Sequence, residues 1–378
     1  MLSPEKFYKI LARNDIKFFC GVPDSLLKSM CGYISDHTTS NNHIIASNEG
    51  GAIGIGIGYH LATNKIPFIY MQNSGLGNAI NPILSLADPD VYSIPMLLLV
   101  GWRGMPGVKD EPQHVKQGRI MIPLLESMEI PYAVLPQNDD ELSDVILGSL
   151  KTLKKKPSPL VLIAKKNHFH PYNFSSSNDN NLNMTREEAL KIIINHLNDS
   201  DLVVSTTGMA SREIFEYREE INKNHSNDFL TVGGMGHASQ IALGISNQCL
   251  GRQVICIDGD GAAIMHFGSL IINASESSKN FKHIIINNGA HDSVGGQSTA
   301  GFKIDITKIA NNIGYKTLKS SSNKQELSSN MKKLIKLDGP ALLEVKVRKG
   351  SRKSLGRPTT TPIENKVGFM QNINYKNK

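Results

Sequence analysis

Two short motifs, each at the end of an apolar strand, constrain this chain more than anything else in it. The run Val254 to Ile257 leads through Asp258 into Gly259-Asp260-Gly261, and helical sequence follows from Ala263. The next apolar run, His283 to Asn287, ends in Asn287-Asn288, and residues 262–286, 25 in all, separate the two motifs. That distance holds one crossover helix and one strand, which returns the chain to the same edge of a parallel sheet. Asp260 and Asn288 then meet at the carboxyl ends of neighbouring strands, where open α/β sheets bind their ligands. Glycines there let a backbone approach a phosphate, and the free N–H groups of a helix start favour its charge. A carboxylate, an amide oxygen and a nearby backbone carbonyl, that of Ala290, are the hard donors that suit Mg²⁺. Turns after buried strands often read G-D-G, so the signal lies in the pair and its spacing.

The rest of the chain keeps the same grammar. Residues 1–170 alternate helical and strand patterns: a helix over Lys6 to Arg13, a strand over Lys17 to Cys20, a glycine-laden segment Gly50 to Ala62, and strands at Pro67 to Met71 and Met96 to Val100. Residues 171–184, dense in Asn and Ser, read as a linker. A second unit, 185–378, opens at Thr185-Arg186-Glu187-Glu188, which has capping-box spacing before the apolar run Ala189 to Leu197. Its strands are Leu202 to Ser205, Val254 to Asp258, His283 to Asn287 and Ala341 to Val347. The expected fold is α/β: two mainly parallel sheets with helices on both faces.

Composition excludes several classes. With 378 residues, 40% apolar and 20% charged, the chain has the make-up of an ordinary globular protein of two domains. Charges at Glu5, Lys6, Lys9, Arg13 and Asp15 argue against a secretory leader, and the greasiest stretch, Ile94 to Trp102, is too short to span a bilayer. Four cysteines without C-x-x-C spacing argue for a reducing compartment, so the expected location is cytoplasmic, with no membrane partner. The net charge of +7 and the basic run Lys346 to Arg357 lack the interleaved aromatics of a nucleic-acid binder. An anionic small molecule is the better partner.

G-D-G followed at this distance by N-N resembles the fingerprint of thiamine-diphosphate enzymes. The resemblance implies that the first half binds the aminopyrimidine and the second the diphosphate, with no middle domain, in a homo-oligomer whose active site lies between subunits. Gly259, Asp260, Gly261 and Ala262 are then diphosphate contacts, with Mg²⁺ on Asp260, Asn288 and the Ala290 carbonyl. Glu49, in Ser47-Asn48-Glu49-Gly50-Gly51, stands where the family places the glutamate that hydrogen-bonds the pyrimidine nitrogen; alone, it reads better as a carboxylate complementing a helix start, and the second motif is what favours the family role. Gly50, Gly51, Gly54, Gly56 and Gly58 fit close packing against cofactor and partner better than a dinucleotide fingerprint, because no acidic ribose partner follows cleanly. In Gly233-Gly234-Met235-Gly236, Met235 resembles the apolar wedge under the cofactor, beside Gly234. Thr206, Thr207 and Gly208 resemble further diphosphate contacts.

Several stretches are similar to phosphonopyruvate decarboxylases: Gly21-Val22-Pro23-Asp24-Ser25, Gln72 to Asn78, Asp110 to His114, Asn288 to His291 and Gly356 to Thr360. The implied reaction converts 3-phosphonopyruvate to phosphonoacetaldehyde and CO₂, in phosphonate biosynthesis of the 2-aminoethylphosphonate type. Asp24, His114 and His291 resemble the groups around the reacting carbon. Arg103, Lys109, Lys116 and Arg119, or Arg352 and Arg357 on a mobile basic tail, are the cations available to a phosphonate. Sulfopyruvate decarboxylation and a non-catalytic cofactor-binding subunit are the alternatives, the second disfavoured by Glu49, Asp260 and Asn288 standing together.

Overall fold

Among the described residues the apolar runs become twelve strands shared equally between two all-parallel sheets. In the computed structural model, which describes residues 1–175 and 181–376, the chain divides into units Met1–Ser176 and Ser177–Lys378. The first holds β1 (Phe19–Gly21), β2 (His43–Ile45), β3 (Phe68–Gln72), β4 (Met96–Gly101), β5 (Tyr132–Val134) and β6 (Pro159–Ala164), in the order β2-β1-β3-β4-β6-β5. The second holds β7 (Leu202–Ser205), β8 (Asp228–Leu230), β9 (Val254–Gly259), β10 (Phe281–Asn287), β11 (Lys316–Thr317) and β12 (Ala341–Lys346), in the order β8-β7-β9-β10-β12-β11. Counted from its own first strand, each sheet therefore runs 2-1-3-4-6-5. The two halves share one topology, although no short repeat is visible in the sequence.

Both faces of each sheet's central strands are buried, and the edge strands β2, β5 and β11 are partly exposed. In β4, Leu97 and Leu99 join one apolar cluster while Met96, Leu98 and Val100 join another; in β10, Ile284 and Ile286 lie opposite Phe281 and Ile285. Side chains alternate along a strand, so burial on both sides requires helices on both faces, and the strands read as continuous apolar runs.

The structure changes two details and adds to a third. The β9-to-β10 crossover holds two short helices, Asp260–Met265 and Ser269–Glu276, and the first begins at Asp260, not Ala263. Gly259, still extended at φ −99° and ψ 155°, caps it, and His266 leaves helical geometry between the two. The expected linker begins with contacts to the first unit: the Tyr172 hydroxyl and the Ser175 N–H both donate to Asp36, at 2.8 and 3.1 Å, and Phe174 packs on Gly32. Residues 176–180 of that linker lie outside the described residues. The basic run expected as a mobile tail is fastened down. Arg352 pairs with Glu187 and Glu216, and Arg212 donates to the carbonyls of Leu355 and Gly356.

Beyond that run, the Pro362–Lys376 helix lies along the β8 edge, where the Asn365 side chain bonds Asp228 and Leu230 of the strand backbone. At Thr185 the capping box forms: the hydroxyl accepts from the Glu188 N–H and the Glu188 carboxylate takes the Thr185 N–H. No helix of the described residues is long and apolar enough to cross a membrane.

Candidate active site

In the second sheet the chain leaves β7 toward β8 on one side and later returns through β9 on the other. The carboxyl ends of β7 and β9 therefore flank a topological switch point, where loops diverge and leave a crevice. Thr206, Thr207 and Gly208 follow β7, and Gly259, Asp260, Gly261 and Ala262 follow β9. Gly208 has φ 93°, a conformation open to glycine alone at little cost. A Cβ built on Gly208 would come no nearer than 4.0 Å to anything, and one on Gly259 would meet nothing within 4 Å, so both strand ends face open space. Met235, half-buried between Gly234 at φ 65° and Gly236 at φ 84°, is presented by the loop after β8.

Asp260 and Asn288 do come together. Asp260 is 2% exposed; the Thr299 hydroxyl donates to its Oδ2, and the N–H groups of Asn288 and Gly261 point toward the same carboxylate. Burial outweighs these donors and pushes its pKa up to about 6. Asn288 gives its Nδ2 to Asp292 at 2.7 Å, and its Oδ1 accepts the Ala290 N–H at 3.0 Å. The His291 ring stands over Gly261, where an added Cβ would lie 2.9 Å from Cε1. Burial lowers the pKa of His291 to about 4, so it is neutral at pH 7 and can give a proton only from a neutral N–H. Further back along the same strands, Cys256, Asp258 and His283 form a sealed polar group, with His283 Nε2 3.6 Å from Asp258 Oδ2.

The first sheet repeats the arrangement at β1 and β3. Asp24, fully buried after β1, accepts from Gln72 Nε2 at 2.6 Å and from the Leu26 N–H at 3.1 Å; burial raises its pKa. Arg103 reaches Ser25 at 2.7 Å and holds Asp110 with two nitrogens. Burial works to raise the Asp110 pKa, but Arg103 and the Gly104 N–H overcome it and hold it at about 2. The guanidinium expected to be free for a phosphonate is thus already paired. Lys109, Lys116 and Arg119 are exposed and carry no ion pair among the described residues. His114 sits beside this pair and is lowered to about 4, first by burial and then by Arg103.

Glu49 opens the Glu49–Thr63 helix, whose N-cap Asn48 accepts the Gly51 N–H. Its carboxylate is buried: Oε2 accepts from Asn78 Nδ2 at 2.8 Å, and Oε1 lies against Gly75, where any side chain would collide. Asp24 and Glu49 therefore hold the same Gln72-to-Asn78 turn from its two ends. Gln72, Asn78, Thr299 and Asp292 were not among the candidates from sequence. Gln72 and Asn78 lie in a motif quoted for its resemblance, but nothing in spacing alone shows that they touch Asp24 and Glu49.

Both halves match known domains. Residues 4–123 match thiamine pyrophosphate enzyme, N-terminal TPP binding domain, and residues 206–345 the corresponding C-terminal TPP binding domain. A phosphonopyruvate decarboxylase of Streptomyces viridochromogenes is 32% identical over 360 aligned residues, 91% of this chain and 88% of that one. One of Streptomyces hygroscopicus is 31% identical, covering 96% and 92%. A sulfopyruvate decarboxylase of Methanosarcina acetivorans is 26% identical, covering 98% of each. The chain belongs to the phosphonopyruvate decarboxylase family of thiamine-diphosphate enzymes. It is a carboxy-lyase.

The residues present fit that cofactor. In this decarboxylase the open strand ends at Gly208 and Gly259 give a diphosphate room beside backbone N–H groups, and the half-buried Met235 offers an apolar surface nearby. In the N-terminal domain Glu49 keeps one carboxylate oxygen, Oε1, beyond the reach of Asn78. That oxygen can meet a ring nitrogen.

Proposed function

We propose that this decarboxylase converts 3-phosphonopyruvate to phosphonoacetaldehyde and CO₂, using thiamine diphosphate and Mg²⁺. The observation that carries the substrate is the identity of 32% and 31% to two phosphonopyruvate decarboxylases over more than nine-tenths of the chain, against 26% to a sulfopyruvate decarboxylase. Sulfopyruvate is the second reading, because that relative also aligns end to end.

Thiamine diphosphate supplies the electron sink into which the carboxylate carbon's bonding pair moves as CO₂ leaves. The chain supplies the rest. Glu49 Oε1 holds a proton against the pyrimidine nitrogen. Asp260, Asn288 Oδ1 and the Ala290 carbonyl would hold Mg²⁺, which would offset the charge of the diphosphate. A buried carboxylate at about 6 whose donors do not fully offset its desolvation is a group that a cation satisfies. Asp24, His114 and His291 surround the substrate and move protons, and the unpaired Arg119, Lys109 and Lys116 draw in the phosphonate. Glu49 and Asp260 belong to different domains, and we assign the complete site to a homo-oligomer in the cytoplasm. Support comes from the Glu49–Thr63 helix, which exposes Gly51, Gly54, Gly58 and Leu61 along one face, a surface suited to close approach by a second copy.

CO₂ release from phosphonopyruvate, sulfopyruvate and pyruvate, with both cofactors added, tests the reaction. Phosphonopyruvate should lead; faster release from sulfopyruvate replaces the proposal by the second reading. Calorimetric titration with thiamine diphosphate and Mg²⁺ tests the ligands. Asp260→Ala and Asn288→Ala should lose affinity while remaining folded, and wild-type affinity in both removes the cation assignment.

A further inference from the structure

Asp292 lies outside every motif that points to the cofactor, yet its carboxylate is the hub of the loop after β10. Oδ2 accepts from Asn288 Nδ2 at 2.7 Å, from Arg186 Nη1 at 3.1 Å and from the Gly350 N–H at 3.0 Å. Arg186 is in turn gripped by Glu213 through two bonds, Nε to Oε2 at 2.8 Å and Nη2 to Oε1 at 3.0 Å, with both side chains buried. The hub thus ties Asn288 to the Arg186–Asn195 helix, the Met209–Glu220 helix and the segment after β12.

We infer that Asp292 is a positioning residue that fixes the orientation of the Asn288 amide, turning its oxygen toward the cation. This rests on the reading of Asp260 and Asn288 as cation ligands. An amide can face either way, and only its nitrogen end is useless to a metal. A carboxylate only accepts, so the Asn288 nitrogen must face Asp292 and Oδ1 must face the other way. Oδ1 accepts one N–H, from Ala290, and its second lone pair remains for a ligand bond. Asp292 can impose this only if it does not itself swing, and the buried Arg186–Glu213 pair prevents that. The two ion pairs are expensive to bury, and a pair of this kind is weak evidence for stability by itself. Here the pairing keeps a carboxylate in place behind a metal ligand.

The experiment measures Mn²⁺ affinity of the full-length protein by electron paramagnetic resonance, with thiamine diphosphate present. Asp292→Leu should weaken Mn²⁺ about ten-fold or more, the range for loss of a partner behind a metal ligand. Asp292→Asn, which keeps an acceptor oxygen for Asn288 Nδ2, should recover most of that loss. Glu213→Gln loosens the pair that keeps Asp292 from swinging, so it should weaken Mn²⁺ in the same direction as Asp292→Leu but by less. Wild-type affinity in Asp292→Leu overturns the inference, as does a loss in Asp292→Asn as large as that in Asp292→Leu. Asp260→Ala is the control for the underlying reading: if that variant binds Mn²⁺ normally, the ligand assignment has failed, whereas loss in Asp260→Ala with none in Asp292→Leu defeats only the role of Asp292.

Discussion

Glu49 combines a buried carboxylate, one oxygen occupied by Asn78 and the other pressed against a glycine. Glu49→Gln keeps the shape and removes the acid, so turnover should fall by about 10²-fold or more while circular dichroism stays unchanged. Near-normal turnover would return Glu49 to the plain role of a helix-start carboxylate. A second residue-level expectation concerns pH. In the unfolded chain Asp110 titrates in the ordinary carboxylate range, whereas in the fold it stays charged until about pH 2. The Arg103–Asp110 pair therefore adds stability above about pH 4 that is lost as pH falls toward 2, worth about 1 to 2 kcal/mol at neutral pH once solvent screening is allowed for. Urea unfolding of Asp110→Asn should show that deficit at pH 7 and a narrowing gap on acidification; a gap independent of pH would mean the loss is one of packing. Sequence showed Asp110 opening a motif and Arg103 flanking it but gave no sign that they neutralise each other. They stand seven positions apart across a turn, and only the folded loop brings guanidinium to carboxylate.

Among the elements, those with strong local signals were the most legible. The Leu202–Ser205 strand and the Thr185 capping box stand where the sequence puts them, because continuous apolar runs and cap spacing need no distant partner. Thr185→Ala should cost about 1 kcal/mol and lower the midpoint of thermal unfolding by roughly 2–4 °C. No shift in a thermal melt would show that the Glu188 carboxylate holds the helix start unaided. The β9-to-β10 crossover was less legible, since apolar spacing cannot reveal that a helix stops at His266 and restarts at Ser269. The stretch after His170 was legible as a linker from its Asn and Ser, but composition gave no sign that Tyr172 and Phe174 pack against Asp36 and Gly32.

For the whole molecule, the assembly is the open expectation. Gly54 is exposed, and a Cβ there meets nothing within 4 Å in its own chain, so Gly54→Leu is harmless to the isolated fold and should even favour the helix. If a second copy packs on this face, the variant should sediment as a smaller species and lose cofactor affinity; unchanged sedimentation would move the contact elsewhere. The amino-acid sequence by itself determined the α/β class, the division into two halves and the spacing that sets Asp260 beside Asn288. All three depend on local periodicity and on the fixed reach of one crossover. Only the tertiary structure decided that both sheets run 2-1-3-4-6-5, that Asp24 meets Gln72 and Glu49 meets Asn78, and that Arg186 and Glu213 brace Asp292 behind Asn288. Strand order follows from which apolar faces pack together across the chain, and a buried carboxylate takes the donors that folding brings to it, whatever their separation in sequence.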